Sequence, residues 1–193
     1  MTIVDLEPAA RRMAELVRGV PDGPLDGPTP CAATTVGDLL DHIATLTLAF
    51  TAAAEKSIVA GESQPPPTPD GSRLSDDWRT RIPRDLGALA DAWRDPGAWT
   101  GTTYAGGFEL PGEIAGMVAL DELVIHGWDL ARASGQPYDC EPDVLEIVHG
   151  FVAQAQETPR EGMFKAPIEV PEDAPLLDRV IGLSGRDPAW SPT

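Results

Sequence analysis

Two long stretches, from Thr35 to about residue 59 and from Pro111 to Ala133, repeat apolar side chains at helical spacing. A chain with two such stripes must supply helical partners to cover both. Val36, Leu39, Leu40, Ile43, Leu46, Ala49 and Phe50 make the first stripe, and Thr35 followed by Asp38 approximates a capping box at its start. Gly135 and Pro137 stop the second. Shorter periodic runs predict a first helix over 7–19, with Ala10, Met13, Leu16 and Val17 inward, and a third that begins at Pro83 and is closed by Pro96. A fifth helix is expected over 141–157. The stretch AWTGTTYAGGFELPG at 98–112 suits a short hairpin or an extended loop. After residue 158 come an extended piece, FKAPIEVPE, a short helix around LLDRVIGL and a final RDPAW that packs across the helices. With no convincing set of alternating strands, the expectation is an all-α fold in one domain, 1–193. It comprises a bundle of about four principal helices over roughly 5–157, joined by long loops, and an irregular tail over 158–193.

Composition narrows the partners. The formal charge is -17, from 14 basic and 31 acidic residues, so the field of the whole chain repels phosphate backbones and anionic membrane surfaces. Neither nucleic acid nor a membrane is expected as a partner. No basic start precedes an apolar core at the N-terminus, and no apolar run is long enough to span a bilayer, which predicts a soluble cytoplasmic chain. Cys31 and Cys140 match no disulfide framework and no zinc-binding spacing, so reduced thiols are expected. The 19 glycines and 20 prolines cluster between the periodic runs, and SQPPPTPDGS at 63–72 reads as a surface loop. Loops of this length could also mediate a homodimer.

The segment DELVIHGWDLARA at 121–133 carries the chemistry. At about 100° per residue, Glu122 and His126 share a helix face with Ala115, Ala119, Leu123, Leu130 and Ala133. A carboxylate on an apolar arc must be compensated by a cation, a proton or a strong donor. His42 occupies a similar arc of the second helix, flanked by Leu39, Ile43, Leu46 and Ala49. Two imidazoles and one carboxylate suit a divalent metal with open positions, zinc first, with nickel, iron or manganese also compatible. The plain alternative is that each histidine is a satisfied core residue, and for His42 taken alone that alternative is the better one.

These residues carry a resemblance. PTPC before the second helix, TVGDLLDHIA on it, ELVIHGWDLARASG on the fourth helix and the closing GLSGRDPAW resemble the actinobacterial DinB-like metal-binding proteins, and in particular the metal-binding domain of mycothiol-dependent maleylpyruvate isomerase, over nearly the whole chain. The resemblance implies a DinB-like four-helix bundle, a divalent metal held by His42, Glu122 and His126, and mycothiol activated there as a thiolate. It implies a transferase or isomerase acting on a small-molecule thiol and an electrophilic substrate. The isomerase carries a further C-terminal domain, and here room remains only for a short tail, so maleylpyruvate isomerisation itself is not expected. Ala33 and Thr34 stand where the family commonly has Gly-Trp.

Other residues carry weaker signals. Asp129 could orient a metal-bound imidazole, but pairing with Arg132 at the helix surface is the favoured expectation. His149 could be a fourth ligand or a proton shuttle, Cys31 a thiolate at a helix start, and Trp128 is expected to be packing. Arg79, Arg81 and Arg84 are expected to be a solvated face. Two rivals keep the same site: a metal-dependent hydrolase that uses no thiol, and a non-catalytic metal-binding or regulatory bundle.

Overall fold

The computed structural model describes residues 3–157 and 166–192. Among them are six α-helices and one two-stranded sheet, in a mostly helical fold. Helix α1 (Glu7–Gly19) buries Ala10, Met13, Leu16 and Val17. Helix α2 (Val36–Ala54) starts where its cap dictates. The Thr35 hydroxyl accepts from the Asp38 backbone N–H while the Asp38 carboxylate accepts from the Thr35 N–H, so two end groups are satisfied at once. Asp38 also accepts from Gly71 N–H at 2.8 Å, and Asp41 from Asp70 N–H at 3.0 Å, which ties the end of the proline-rich loop to α2.

Two boundaries differ from expectation. Helix α2 ends at Ala54 rather than near 59, because its buried stripe runs out there and Lys56 takes a left-handed φ of 54° that turns the chain away. The Lys56 ammonium then donates to Thr100 O at 2.8 Å. Helix α3 (Trp78–Ala92) begins five residues before Pro83, which lies inside it. Pro83 removes a single helical hydrogen bond in the second turn. Burial of Trp78, Ile82 and Pro83 itself holds that turn in place, and Arg79 stacks over Trp78 and donates to Val20 O at 2.6 Å.

The stretch after α3 forms a hairpin, β1 (Thr102–Ala105) against β2 (Phe108–Pro111), closed by Gly106 and Gly107 at φ of 60° and 86°. Both turn positions need positive φ, which glycine adopts freely. Helix α4 (Gly112–Ser134) follows directly and stops at Gly135 in the left-handed conformation. Helix α5 (Pro142–Glu157) buries Val144, Leu145, Val148 and Val152. Helix α6 (Leu176–Leu183) packs on α5, and the expected extended piece FKAPIEVPE falls partly outside the described residues. Helices α1 and α2 each pack against both α3 and α4, and α5 lies against α4.

Helix α4 is buried on nearly every side, so its neighbours must fit it closely. Trp93 donates to Phe50 O, Trp99 donates to Trp93 O, and their rings meet edge to face at 5.1 Å. Gly116 lies directly beneath them: a Cβ there would come within 2.6 Å of the Trp99 ring and 2.8 Å of Trp93. Gly87, on the exposed face of α3, meets nothing within 4 Å. Gly116→Ala should therefore destabilise by about 1–3 kcal/mol through overpacking. Gly87→Ala should stabilise by about 0.5–1 kcal/mol. Urea denaturation of the two variants, equal in composition, reads the opposite signs.

Candidate metal centre

The packing of α2 on α4 decides what His42 meets. His42 sits in the second turn of α2, Glu122 and His126 one turn apart in the middle of α4, and one ligand atom from each lies within 4.8 Å of the others. The two imidazoles stand edge to face with centroids 4.8 Å apart. Glu122 Oε2 is 2.9 Å from His126 Nε2 and 3.9 Å from His42 Nε2. Side-chain exposure rises from 10% at His126 to 22% at His42 and 29% at Glu122, so the cluster opens toward solvent on the His42–Glu122 side. Glu122 and His126 also line a small, half-open cleft of about 20 Å³ with Met13, Ile43, Phe50, Leu89 and Leu123, room for about one water molecule.

Behind His126 the structure differs from the expected pairing of Asp129. Asp129 is wholly buried and accepts from His126 Nδ1 at 2.9 Å. Its other partner is Arg186 of the tail, whose guanidinium donates through Nε and Nη2 to the two carboxylate oxygens at 2.8–3.0 Å. Arg132 does not pair with Asp129. Its guanidinium lies 5.8 Å over the Trp128 ring, and it donates to Trp190 O. The i+3 spacing put Asp129 and Arg132 in reach of each other, but the docked tail offers Asp129 a bidentate partner in a buried place.

The charges follow this chain of contacts. Burial works against a charged His126, but hydrogen bonds to Asp129 and Glu122 outweigh it and raise the imidazole to about 10. Burial likewise opposes ionised Glu122 and Asp129, and the same hydrogen bonds and cations hold both below the usual carboxylate range. His42 goes the other way, lowered by burial and then by the positive charge of His126. It is a neutral imidazole at pH 7, ready to offer a lone pair. The donor set fits a divalent cation: two imidazoles and a carboxylate converge, and the pocket between two carboxylates already favours positive charge at His126.

Other candidates lie elsewhere. His149 is near Arg179 of α6, 3.2 Å away, and is not among the converging donors. Cys31 is a free, half-buried thiol, as is Cys140, whose burial pushes it up to about 11. Arg79, Arg81 and Arg84 are each engaged with Asp22, Asp77 or Asp85. Trp128 is buried packing. Two residues escaped sequence reasoning. Arg186 lies 57 residues from Asp129, beyond any helical period, its one signal being a basic residue in the closing GLSGRDPAW. Asp121 precedes Glu122, is buried, and has one oxygen without a hydrogen-bond partner. Its signal was an acidic pair on an apolar helix.

This is a mostly helical protein with a candidate His-Glu-His metal centre between two facing helices. Residues 6–131 match the family model of the mycothiol maleylpyruvate isomerase N-terminal domain, and the chain belongs to that family. The match contains all three converging residues and Asp129, while Arg186 lies beyond it. Two uncharacterized proteins of Mycobacterium tuberculosis, from strains CDC 1551 / Oshkosh and H37Rv, are each 27% identical over 183 residues, which cover 90% of this chain and 91% of theirs. No solved structure gives a significant match. No helix among the described residues is long and apolar enough to cross a membrane.

Burial raises the Asp121 carboxyl to about 8. An acid whose folded pKa exceeds its unfolded value near 3.8 binds its proton more tightly when folded, so its effect on stability is absent below pH 3.8 and increasingly unfavourable up to about pH 8. In chelator-treated protein, Asp121→Asn should therefore gain stability relative to wild type between pH 5 and pH 8. Urea midpoints at the two pH values check this, and a constant difference would contradict it.

Proposed function

We propose that this protein is a divalent-metal-dependent, thiol-using transferase or isomerase of the DinB-like four-helix class, with zinc as the cation and mycothiol as the thiol. The observation that carries the reading is the convergence of His42, Glu122 and His126 in a chain of this family. The pairings of α1 and α2 with α3 and α4 support the four-helix arrangement. The family's name supports mycothiol, and the charge of -17 speaks for small-molecule partners rather than nucleic acid.

His42, Glu122 and His126 would hold the cation. When bound, such a cation supplies Lewis acidity that makes a thiol a stronger acid and so a nucleophile at neutral pH. The rest falls to the chain. His126 yields its Nε2 proton and keeps Nδ1 on Asp129, while neutral His42 and ionised Glu122 complete the donor set. The apolar side chains beside Glu122 and His126, Met13, Ile43, Phe50, Leu89 and Leu123, keep water from one side of the cluster. In transfer, the thiol loses its proton, its sulfur bonds to an electrophilic carbon, and the leaving group departs with the electron pair. In isomerisation, the thiolate instead adds to one carbon of a double bond conjugated to a carbonyl, the π pair moves onto the carbonyl oxygen, and after rotation about the new single bond the pair returns and the thiolate leaves.

Protein purified without added metal should carry close to one divalent ion per chain by mass spectrometry, and His126→Ala should carry almost none. Equal, negligible occupancy in both would remove the site. Consumption of an electrophile should require mycothiol. Turnover without any thiol would instead mark a hydrolase. Because ligand imidazoles must be deprotonated, zinc binding at pH 7 should release protons, seen as a dependence of the binding heat on buffer ionisation enthalpy.

A further inference from the structure

Arg186 is held in place by contacts that owe nothing to the His-Glu-His cluster. Gly185, at a φ of 79°, reverses the chain at the end of α6, and Arg186 N–H donates back to Ile181 O at 3.1 Å. Ser184 Oγ donates to Ile181 O, and the Arg186 guanidinium leans on Ser184 as well. Farther along, Arg132 fastens the Trp190 carbonyl to α4. From this braced position Arg186 engages both oxygens of Asp129. A carboxylate held by one imidazole alone can swing about its terminal torsion, whereas a bidentate guanidinium fixes its plane. The plane of Asp129 in turn fixes the ring it holds through Nδ1, and Nε2 of that ring faces Glu122.

We infer that Arg186 is a positioning residue of the metal centre: by fixing Asp129 it orients His126, so the C-terminal tail sets the affinity of a site built on α2 and α4. This rests on the metal reading above and adds to it a dependence on a segment outside the family match. Support for a ligating histidine by a fixed carboxylate is typically worth 10- to 100-fold in metal affinity. Lysine cannot replace the fork, since its ammonium is a point charge that leaves the carboxylate free to turn.

The experiment measures the zinc(II) dissociation constant by competition with a chromophoric chelator at pH 7, alongside urea stability, in the full chain. Arg186→Met should weaken zinc binding about 10- to 100-fold, and Asp129→Asn should match it. Arg186→Lys should fall between. Arg132→Ala, which loosens the end of the tail but leaves Asp129 gripped, should bind zinc as wild type does. Arg186→Met also strands a buried carboxylate and can unfold the protein, so the double variant Asp129→Asn with Arg186→Met decides the matter. It removes both buried charges and should recover stability while staying weak for zinc. If the double variant regains affinity together with stability, or if Arg186→Met binds zinc like wild type, Arg186 has no positioning role. If wild type itself binds no zinc, the metal reading falls and takes this inference with it.

Discussion

Four buried or half-buried groups of alternating sign, Arg186, Asp129, His126 and Glu122, are joined end to end by hydrogen bonds of 2.8–3.0 Å. None could be buried alone without a large desolvation cost, and each is neutralised by its neighbours. The chain runs from the tail through α4 to the face of α2. It thereby links three parts of the molecule that apolar packing alone would hold in only approximate register. A leucine in place of any member would fill space, but it would leave the next charge unpaired.

Helix α4 serves this chain because both sides of it are occupied. One face presents Glu122 and His126 to α2, and a neighbouring face presents Asp129 to the tail. A helix so fully buried cannot rotate to relieve strain, since every rotation brings a large side chain into a neighbour. Gly116 under Trp93 and Trp99 fixes its N-terminal half, and Gly127, where a Cβ would meet Tyr138 at 3.0 Å, fixes its other half against the segment leading to α5. Tyr138 anchors that segment by donating to Val124 O at 2.9 Å. The rigidity a metal site requires is thus a by-product of ordinary close packing on both sides of its main helix.

What the sequence disclosed, and what it concealed, divides by sequence separation. The bounds of α1, the start of α2 and the ends of α4 were legible, because periodicity, Thr35 with Asp38, and Gly135 act within a few residues. The shared face of Glu122 and His126 was legible for the same reason. Pro83 misled because a missing N–H is a local penalty, and burial of Trp78 and Ile82 is a tertiary gain that exceeds it. Asp129 misled more instructively. Arg132 is three residues away and correctly spaced, but the better donor lies 57 residues on and reaches Asp129 only after the tail has docked. The role of His42 could not follow from α2 alone either, since its meaning depends on which helix packs against it.

The two histidines meet the same cation reading from opposite electrostatic states. His42 is pushed toward neutrality by burial and by its neighbour, so it offers a lone pair without first giving up a proton. His126 is pushed the other way by two carboxylates, and to ligate a metal it would have to surrender a proton that the pocket holds firmly. The carboxylates that make that proton hard to lose are the same ones that make a dication welcome, because the field that favours one positive charge favours two more strongly. At a metal held here, competition between proton and cation at one nitrogen would sharpen selection for divalent ions over monovalent ones, which would gain only the smaller electrostatic return for displacing the proton. Asp129 stands on the protein side of His126 and Glu122 on the open side, so a cation arriving from solvent would meet Glu122 and neutral His42 before the nitrogen whose proton it would displace. In that order attraction would act before the proton leaves, with the exposed edge of the cluster as the path of entry.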